Sequence, residues 1–189
     1  ATLRAAARNE TCFVLGSLEA PSLPELVAQR LTLSRETGDR WEEAMVYNDM
    51  ACMALEREAV EEALLEISRA EELAATVAGP TLVLDSVIGT TRAEVLLARG
   101  QCSDATTGVC EVLDQLECSI VAHPYVLGMA GGVAVRALAA EGRVDDANAL
   151  GWKTIEHLGE AMPLSRSAIL ATIADSLGAA GRSAEAYEA

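Results

Sequence analysis

The sequence predicts an all-α fold, a right-handed superhelical solenoid of antiparallel helix pairs with about four to five pairs in the chain. Three observations carry this expectation. The first is composition: alanine fills 35 of 189 positions, while aromatic residues make up only 3% and include a single Phe. A ring-poor core with few β-branched runs disfavours sandwiches and barrels, whereas small side chains suit closely packed helices. The second is periodicity, with apolar residues recurring in steps of three and four. The third is internal repetition. Ala98-Arg99-Gly100-Gln101, Ala140-Glu141-Gly142-Arg143 and Ala180-Gly181-Arg182 each close one helical pattern and open another. Glu56-Arg57-Glu58 is an earlier copy with Glu58 in the place of glycine. Glu58, Gly100, Gly142 and Gly181 lie 42, 42 and 39 residues apart, and Ala63, Ala105, Ala147 and Ala186 keep the same intervals. A fixed period of this length marks a stack of supersecondary units.

The elements follow in chain order. Helices over 2–16 and 22–37 form a degenerate first pair within residues 1–40. The first helix of the next repeat, 41–56, places Ala44, Tyr47, Ala51, Ala54 and Leu55 on one face. Its second helix, 59–77, buries Ala59, Ala63, Ile67, Ala70 and Leu73, and Glu58, Glu61 and Glu62 suit the positive end of its dipole. A joint of about four residues makes the two helices antiparallel. Glycine at that joint allows the left-handed backbone that ends the first helix. Further helices are expected over 81–99, 103–119, 124–141, 144–160, 164–180 and from 183 onward. Gly79-Pro80, His123-Pro124 and Met162-Pro163 separate the repeats, because proline tolerates a helix start and disfavours helix in the residue before it. Ala51, Ala93, Val135 and Ala174, opposite Ala63, Ala105, Ala147 and Ala186, let paired backbones approach. Gly131-Gly132 inside a helix costs about 1 kcal/mol per glycine relative to alanine, so a close contact or a kink should accompany it.

Charge and chemistry narrow the partners. The net charge of −15 repels phosphate backbones and anionic membranes, and the 13 arginines never form a run, so direct nucleic-acid binding is not expected. No apolar stretch reaches the roughly 18 to 20 residues of a membrane span. Cys12, Cys52, Cys102, Cys110 and Cys118 lack the spacing of a zinc site and read as buried free thiols in a reducing cytoplasm. His123 and His157 are poorly placed for metal, Ser17, Ser165 and Ser167 lack a nucleophile elbow, and no phosphate-cradling glycine loop is present. No metal or other cofactor and no catalysis are expected. Trp41 and Trp152 read as packing anchors between helices. The absence of a starting Met and the helical pattern running into Ala189 suggest a piece of a longer protein.

The arrangement resembles the tetratricopeptide repeat (TPR). Ala51/Ala63/Ala70, Ala93/Gly100/Ala105, Gly142/Ala147 and Ala174/Gly181/Ala186 match that family's small crossing residues, closing glycine and opening alanine. The period of 39 to 42 exceeds the family's 34. Val112 and Thr154 stand where Ala70 stands in its repeat, and Gly151 replaces the bulky residue seen at Ile67. The resemblance covers residues 41–189 and makes 1–189 one TPR-like domain. A narrower resemblance, carried by Leu33-Ser34-Arg35-Glu36-Thr37-Gly38-Asp39-Arg40-Trp41, arginine-over-lysine usage and the Ala184–Ala189 terminus, is to helical regions of actinobacterial signalling proteins. It implies an output domain, such as a diguanylate cyclase or an ATP-binding transcriptional activator, outside these residues.

In such a stack the first helix of each pair lines the concave wall. One step beyond the crossing residues come Cys52, Glu94, Arg136 and Asp175. A turn earlier are Asn48, Thr90, Gly132 and Ala171, and another turn earlier Met45, Val87 and Met129. Arg136 either holds a carboxylate of a peptide or metabolite or is neutralised by Glu94 or Asp175. The expected function is non-enzymatic binding of a protein segment or small ligand in this groove, coupled to an output domain. The alternative is a self-association module forming a homodimer.

Overall fold

The computed structural model describes residues 23–119, 123–160, 162–182 and 186. Among them are eight helices: α1 (Leu23–Thr37), α2 (Arg40–Glu56), α3 (Val60–Ala74), α4 (Leu82–Ala98), α5 (Cys102–Glu117), α6 (Pro124–Ala140), α7 (Val144–Leu158) and α8 (Pro163–Ala179). The expected helix at 2–16 lies outside the described residues, as does the expected helix from 183 onward apart from Ala186. The largest difference from the sequence reading is at α3, which stops at Ala74 rather than continuing to 77. Ala75 caps it, and Thr76 and Val77 turn back through hydrogen bonds to Leu73 O and Ala74 O. These two β-branched residues lead straight into Gly79-Pro80, where helix cannot continue.

The joints follow the repeated motif. Glu58, Gly100, Gly142 and Gly181 all have positive φ, at 58°, 77°, 78° and 77°. After each, the next N–H reaches back five residues: Ala59 to Ala54 O at 2.9 Å, Gln101 to Leu96 O at 2.9 Å, Arg143 to Leu138 O at 3.0 Å and Arg182 to Leu177 O at 2.9 Å. This closure satisfies carbonyls that the helix end would leave bare. Glu58 adopts it without being glycine, so the repeat imposes a backbone that its side chain disfavours. Gly38 closes α1 in the same way, with Asp39 N–H on Ser34 O at 2.9 Å, and the Asp39 carboxylate then caps α2 by accepting from Glu42 N–H at 3.0 Å. Pro124 and Pro163 begin α6 and α8.

The chain forms two compact units, Ala1–Leu84 and Asp85–Ala189, with the boundary in the first turn of α4. In the first, α1 packs on α2 and α2 pairs with α3. Val27 and Val46 form a buried centre flanked by Leu26, Leu31, Met50 and Met53. Ala44, Ala51, Ala54, Ala63, Ile67 and Ala70 are fully buried.

In the second unit α6 packs on α5, α7 and α8, and α7 packs on α8. Ala93, Ala105, Val135 and Ala147 are buried where small residues were expected. The departures from the family pattern have a common cause. A Cβ on Gly89 would lie 2.8 Å from Val112 Cγ2, and one on Gly131 would lie 2.5 Å from Thr154 Cγ2. The larger residue on the second helix is therefore met by glycine on the first, whereas the same two positions of the preceding repeat carry Tyr47 and Ala70. Gly151 is explained likewise, because a Cβ there would meet Ile173 Cδ1 at 2.6 Å. Close contact accounts for Gly131 but not for Gly132, whose Cβ would meet only Ile169 Cγ1 at 3.9 Å, and α6 runs as one helix from Pro124 to Ala140.

Trp152 corrects the sequence reading. It is 46% exposed. The buried stripe of α7 is Ala147, Gly151, Thr154, Ile155 and Leu158, and position 152 falls beside that stripe, outside it. Trp41 is half-buried. Cys118 is exposed at the end of α5 rather than buried, while Cys52, Cys102 and Cys110 are half-buried, and none of these four is in a disulfide.

Candidate functional site

The groove-facing positions are clearest on α6. Tyr125, Met129, Gly132, Arg136 and Ala140 are all partly or fully exposed, in steps of four, three, four and four, while Val126, Leu127, Ala130, Val133, Ala134, Ala137 and Leu138 are buried. This is the helical periodicity of a solvent stripe on an otherwise enclosed helix. On α8 the positions that follow by the repeat interval of 39 are Leu164, Ala168, Ala171 and Asp175, all exposed. The seam between α6 and α8 is tight near its start, where a Cβ on Gly128 would meet Ser165 Cβ at 2.8 Å. It opens one turn on, where a Cβ on Gly132 would meet only Ile169 Cγ1 at 3.9 Å.

Charge is concentrated at the other end of the stripe. Arg136 Nη2 donates to Glu94 Oε1, joining α6 to α4, and both side chains keep part of their surface in water. Of the two expectations for Arg136, the neutralised one is realised, with Glu94 rather than Asp175 as the partner. An exposed pair of this kind contributes roughly 0–1 kcal/mol. Asp175 makes no ion pair among the described residues.

The other predicted positions sit deeper. Thr90 is 1% exposed and its hydroxyl donates to Ser86 O at 2.7 Å. Val87 is also buried, and the exposed residues of α4 are confined to Val83, Asp85 and Ala98. In the first unit Asn48 is buried, and Cys52 and Met45 are half-buried. The structure thus brings Met129, Gly132, Arg136 and Glu94 together, with Asp175 on the neighbouring helix of the same unit.

Sequence reasoning missed the most deeply buried charge. Arg30 on α1 is 0% exposed. Its Nε–H donates to Glu42 Oε1 at 2.9 Å and its Nη1 to Asp49 Oδ2, so one guanidinium binds two acids of α2. Nη2 lies 2.8 Å from the same Glu42 oxygen, but at an angle that makes no hydrogen bond. Burial pushes the Glu42 and Asp49 carboxyls above their usual range, and the Arg30 charge pulls against it. Nearby, Tyr47 lies between two guanidinium groups, Arg35 at 5.9 Å and Arg69 at 5.7 Å from its ring centre. Glu43 pairs with Arg35 and Arg40, and Glu66 with Arg69. The spacing of Arg30, Glu42 and Asp49 carries no helix-face signal, because they meet only when α1 packs on α2.

Elsewhere the chemistry is quiet. Burial, together with Asp114 and Glu141, pushes the Cys110 thiol up and away from the thiolate, with Arg143 opposing. His157 Nδ1 lies 2.9 Å from Lys153 O on the exposed last turn of α7. Among the described residues no group of three or more His, Cys, Asp or Glu is placed to hold a metal. No helix among them is long and apolar enough to cross a membrane.

Antiparallel helix hairpins, closed by a recurring left-handed residue and repeated at a fixed period, define a TPR-like helical-repeat fold. Solved structures agree. A protein of Podosopora anserina described as a putative kinesin light chain with nearly identical TPR-like repeats superposes with a TM-score of 0.68 and 19% identity, over 98% of this chain and 90% of that one. A point variant of the same protein gives the same TM-score and coverage at 20% identity. This likeness establishes the all-α, TPR-like architecture. No protein-family model matches the chain, and no curated protein does.

Proposed function

We propose that this chain is a non-catalytic binding domain that captures a segment of another protein, or a small ligand, on the face formed by α6 and α8, the first helices of the hairpins in its second unit. The observation that carries the reading is the exposed stripe of α6, where Tyr125, Met129, Gly132 and Arg136 remain open on a helix whose other faces are buried. The TPR-like architecture supports it, since stacked hairpins present such surfaces for partners. The captured state is passed to an output domain outside residues 1–189. The run Leu33–Trp41 and the use of arginine over lysine favour a signalling output, a diguanylate cyclase or an ATP-binding transcriptional activator. A cytoplasmic setting goes with that reading.

Selection of displayed random peptides on the immobilised chain tests the proposal, followed by calorimetry of the enriched peptides. Binding that weakens at least tenfold in Arg136→Ala or Gly132→Trp supports it. Enriched peptides indifferent to both substitutions would sink it. The second reading, a self-association module, draws on the exposed Trp152 and Leu164, 46% and 85% open. Light scattering across a concentration range separates the two, because a stable dimer that ignores every selected peptide favours self-association.

A further inference from the structure

The chemistry of the α6–α8 seam defines the occupant more closely, on the footing of the binding function proposed above. Its apolar end is formed by Tyr125 and Met129 of α6 and by Leu164, Ala168 and Ala171 of α8, all exposed or half-exposed. Between them Gly132 leaves a depression, with Ile169 Cγ1 3.9 Å from where its Cβ would be. From Tyr125 to Gly132 the stripe spans two turns, about 10 Å at the helical rise. That length matches the apolar residues at i, i+3 or i+4, and i+7 of a helix lying in a groove.

The electrostatics choose the sign of the partner. Glu94 already holds Arg136, so the cation of the stripe is satisfied within the domain. Asp175 is the exposed carboxylate left at that end, without an ion pair among the described residues. The chain carries a net charge of −15, which steers cations towards it and anions away. The geometry points to an amphipathic helical segment of another protein as the occupant. Its apolar face seats over Gly132 between Tyr125 and Leu164, and a basic residue beyond that face meets Asp175.

Fluorescence anisotropy with the full chain and three short synthetic helices tests this. The first carries a leucine face flanked by lysines, the second the same face flanked by glutamates, and the third the lysines with serines replacing the leucines. The lysine–leucine helix is expected to bind at least about tenfold more tightly than either other helix. Its binding should weaken at least about tenfold in Asp175→Lys and in Gly132→Trp, but less than about twofold in Glu111→Lys, an equal charge change on α5. Ala171→Trp, on an already exposed position of α8, repeats the blocking test should Gly132→Trp fold poorly. Equal weakening by Glu111→Lys, or equal binding of the serine helix, reduces the effect to bulk charge and overturns the inference. Preference for the glutamate helix, lost in Ala171→Trp, overturns the basic partner while leaving the binding function standing. If none of the three helices binds, the inference falls while the selected-peptide experiment still judges the binding function.

Discussion

The contact between Gly131 and Thr154 allows a quantitative test of how the hairpins fit. In Gly131→Ala the new Cβ would lie 2.5 Å from Thr154 Cγ2, 2.9 Å from Oγ1 and 3.1 Å from Cβ. Ordinary contacts between carbon atoms lie at about 3.5–4.0 Å, so α6 and α7 must part by about 1 Å or Thr154 must rotate. Rotation breaks the 2.9 Å hydrogen bond from Thr154 Oγ1 to Leu150 O. Overpacking of this kind costs about 1–3 kcal/mol, and alanine's helix preference over glycine returns about 1 kcal/mol. The expected net loss is about 1 kcal/mol, or about 2–4 °C in Tm for a chain of this size. Thr154→Ala alone loses a buried methyl group and costs about 1 kcal/mol. Together the two substitutions remove the 2.5 and 2.9 Å contacts and leave only the two Cβ atoms at 3.1 Å, so the double variant should lie within about 0.5 kcal/mol of the parent. Urea unfolding followed by circular dichroism on all four proteins gives the coupling, expected at about 1–2 kcal/mol. Additive effects within about 0.3 kcal/mol would refute the idea that these two residues share one space.

Glu58→Gly should raise stability by about 1 kcal/mol by relieving a left-handed non-glycine residue, and Gly100→Ala should lower it by about 1–2 kcal/mol; equal melting temperatures for parent and both variants would remove strain from the account. Arg30→Met strands two buried acids and should cost about 3–5 kcal/mol in denaturant unfolding, whereas a loss below about 1 kcal/mol would mean that Glu42 and Asp49 gain nothing from the guanidinium. The folded pKa values of Glu42 and Asp49 are raised above their ordinary 4.5 and 3.8, so each contributes stability that is full below the unfolded value and lost as pH rises through the folded one. Stability attributable to this pair should therefore grow as pH falls through the raised folded values towards the ordinary 4.5 and 3.8, and Glu42→Gln should flatten that part of the stability–pH curve; an identical slope in the variant would contradict the burial argument.

How much was legible in the sequence depended on how locally each feature is encoded. Gly100, Gly142 and Gly181 announce the joints because a left-handed residue and a backbone bond five residues long are purely local requirements. The stripe of Met129, Gly132 and Arg136 was legible for a similar reason, since one helix's periodicity determines it. Large apolar residues are usually buried, yet the angular position of Trp152 on α7, just outside the stripe of Gly151, Thr154 and Leu158, outweighs its size. Thr90 was placed on the right helix, but the depth of α4 depends on its neighbours. The Arg30–Glu42–Asp49 cluster was invisible because its members meet only through packing of α1 on α2.

The alternation of large and small residues across the hairpins also bears on assembly. Repeats built to one period are prone to pairing the wrong helices, since each first helix resembles every other. Here the first helix of one repeat carries Tyr47 opposite the alanine position, while later ones carry Gly89 and Gly131 opposite Val112 and Thr154. A first helix docked on another repeat's second helix would then bring a tyrosine against a valine or threonine, or leave a void where glycine faces alanine. The hairpin with Tyr47 and Ala70 is thus keyed apart from the two with glycine against a β-branched residue. Between those two the key is the same, and order along the growing chain separates them, because the correct neighbour is also the next to be made.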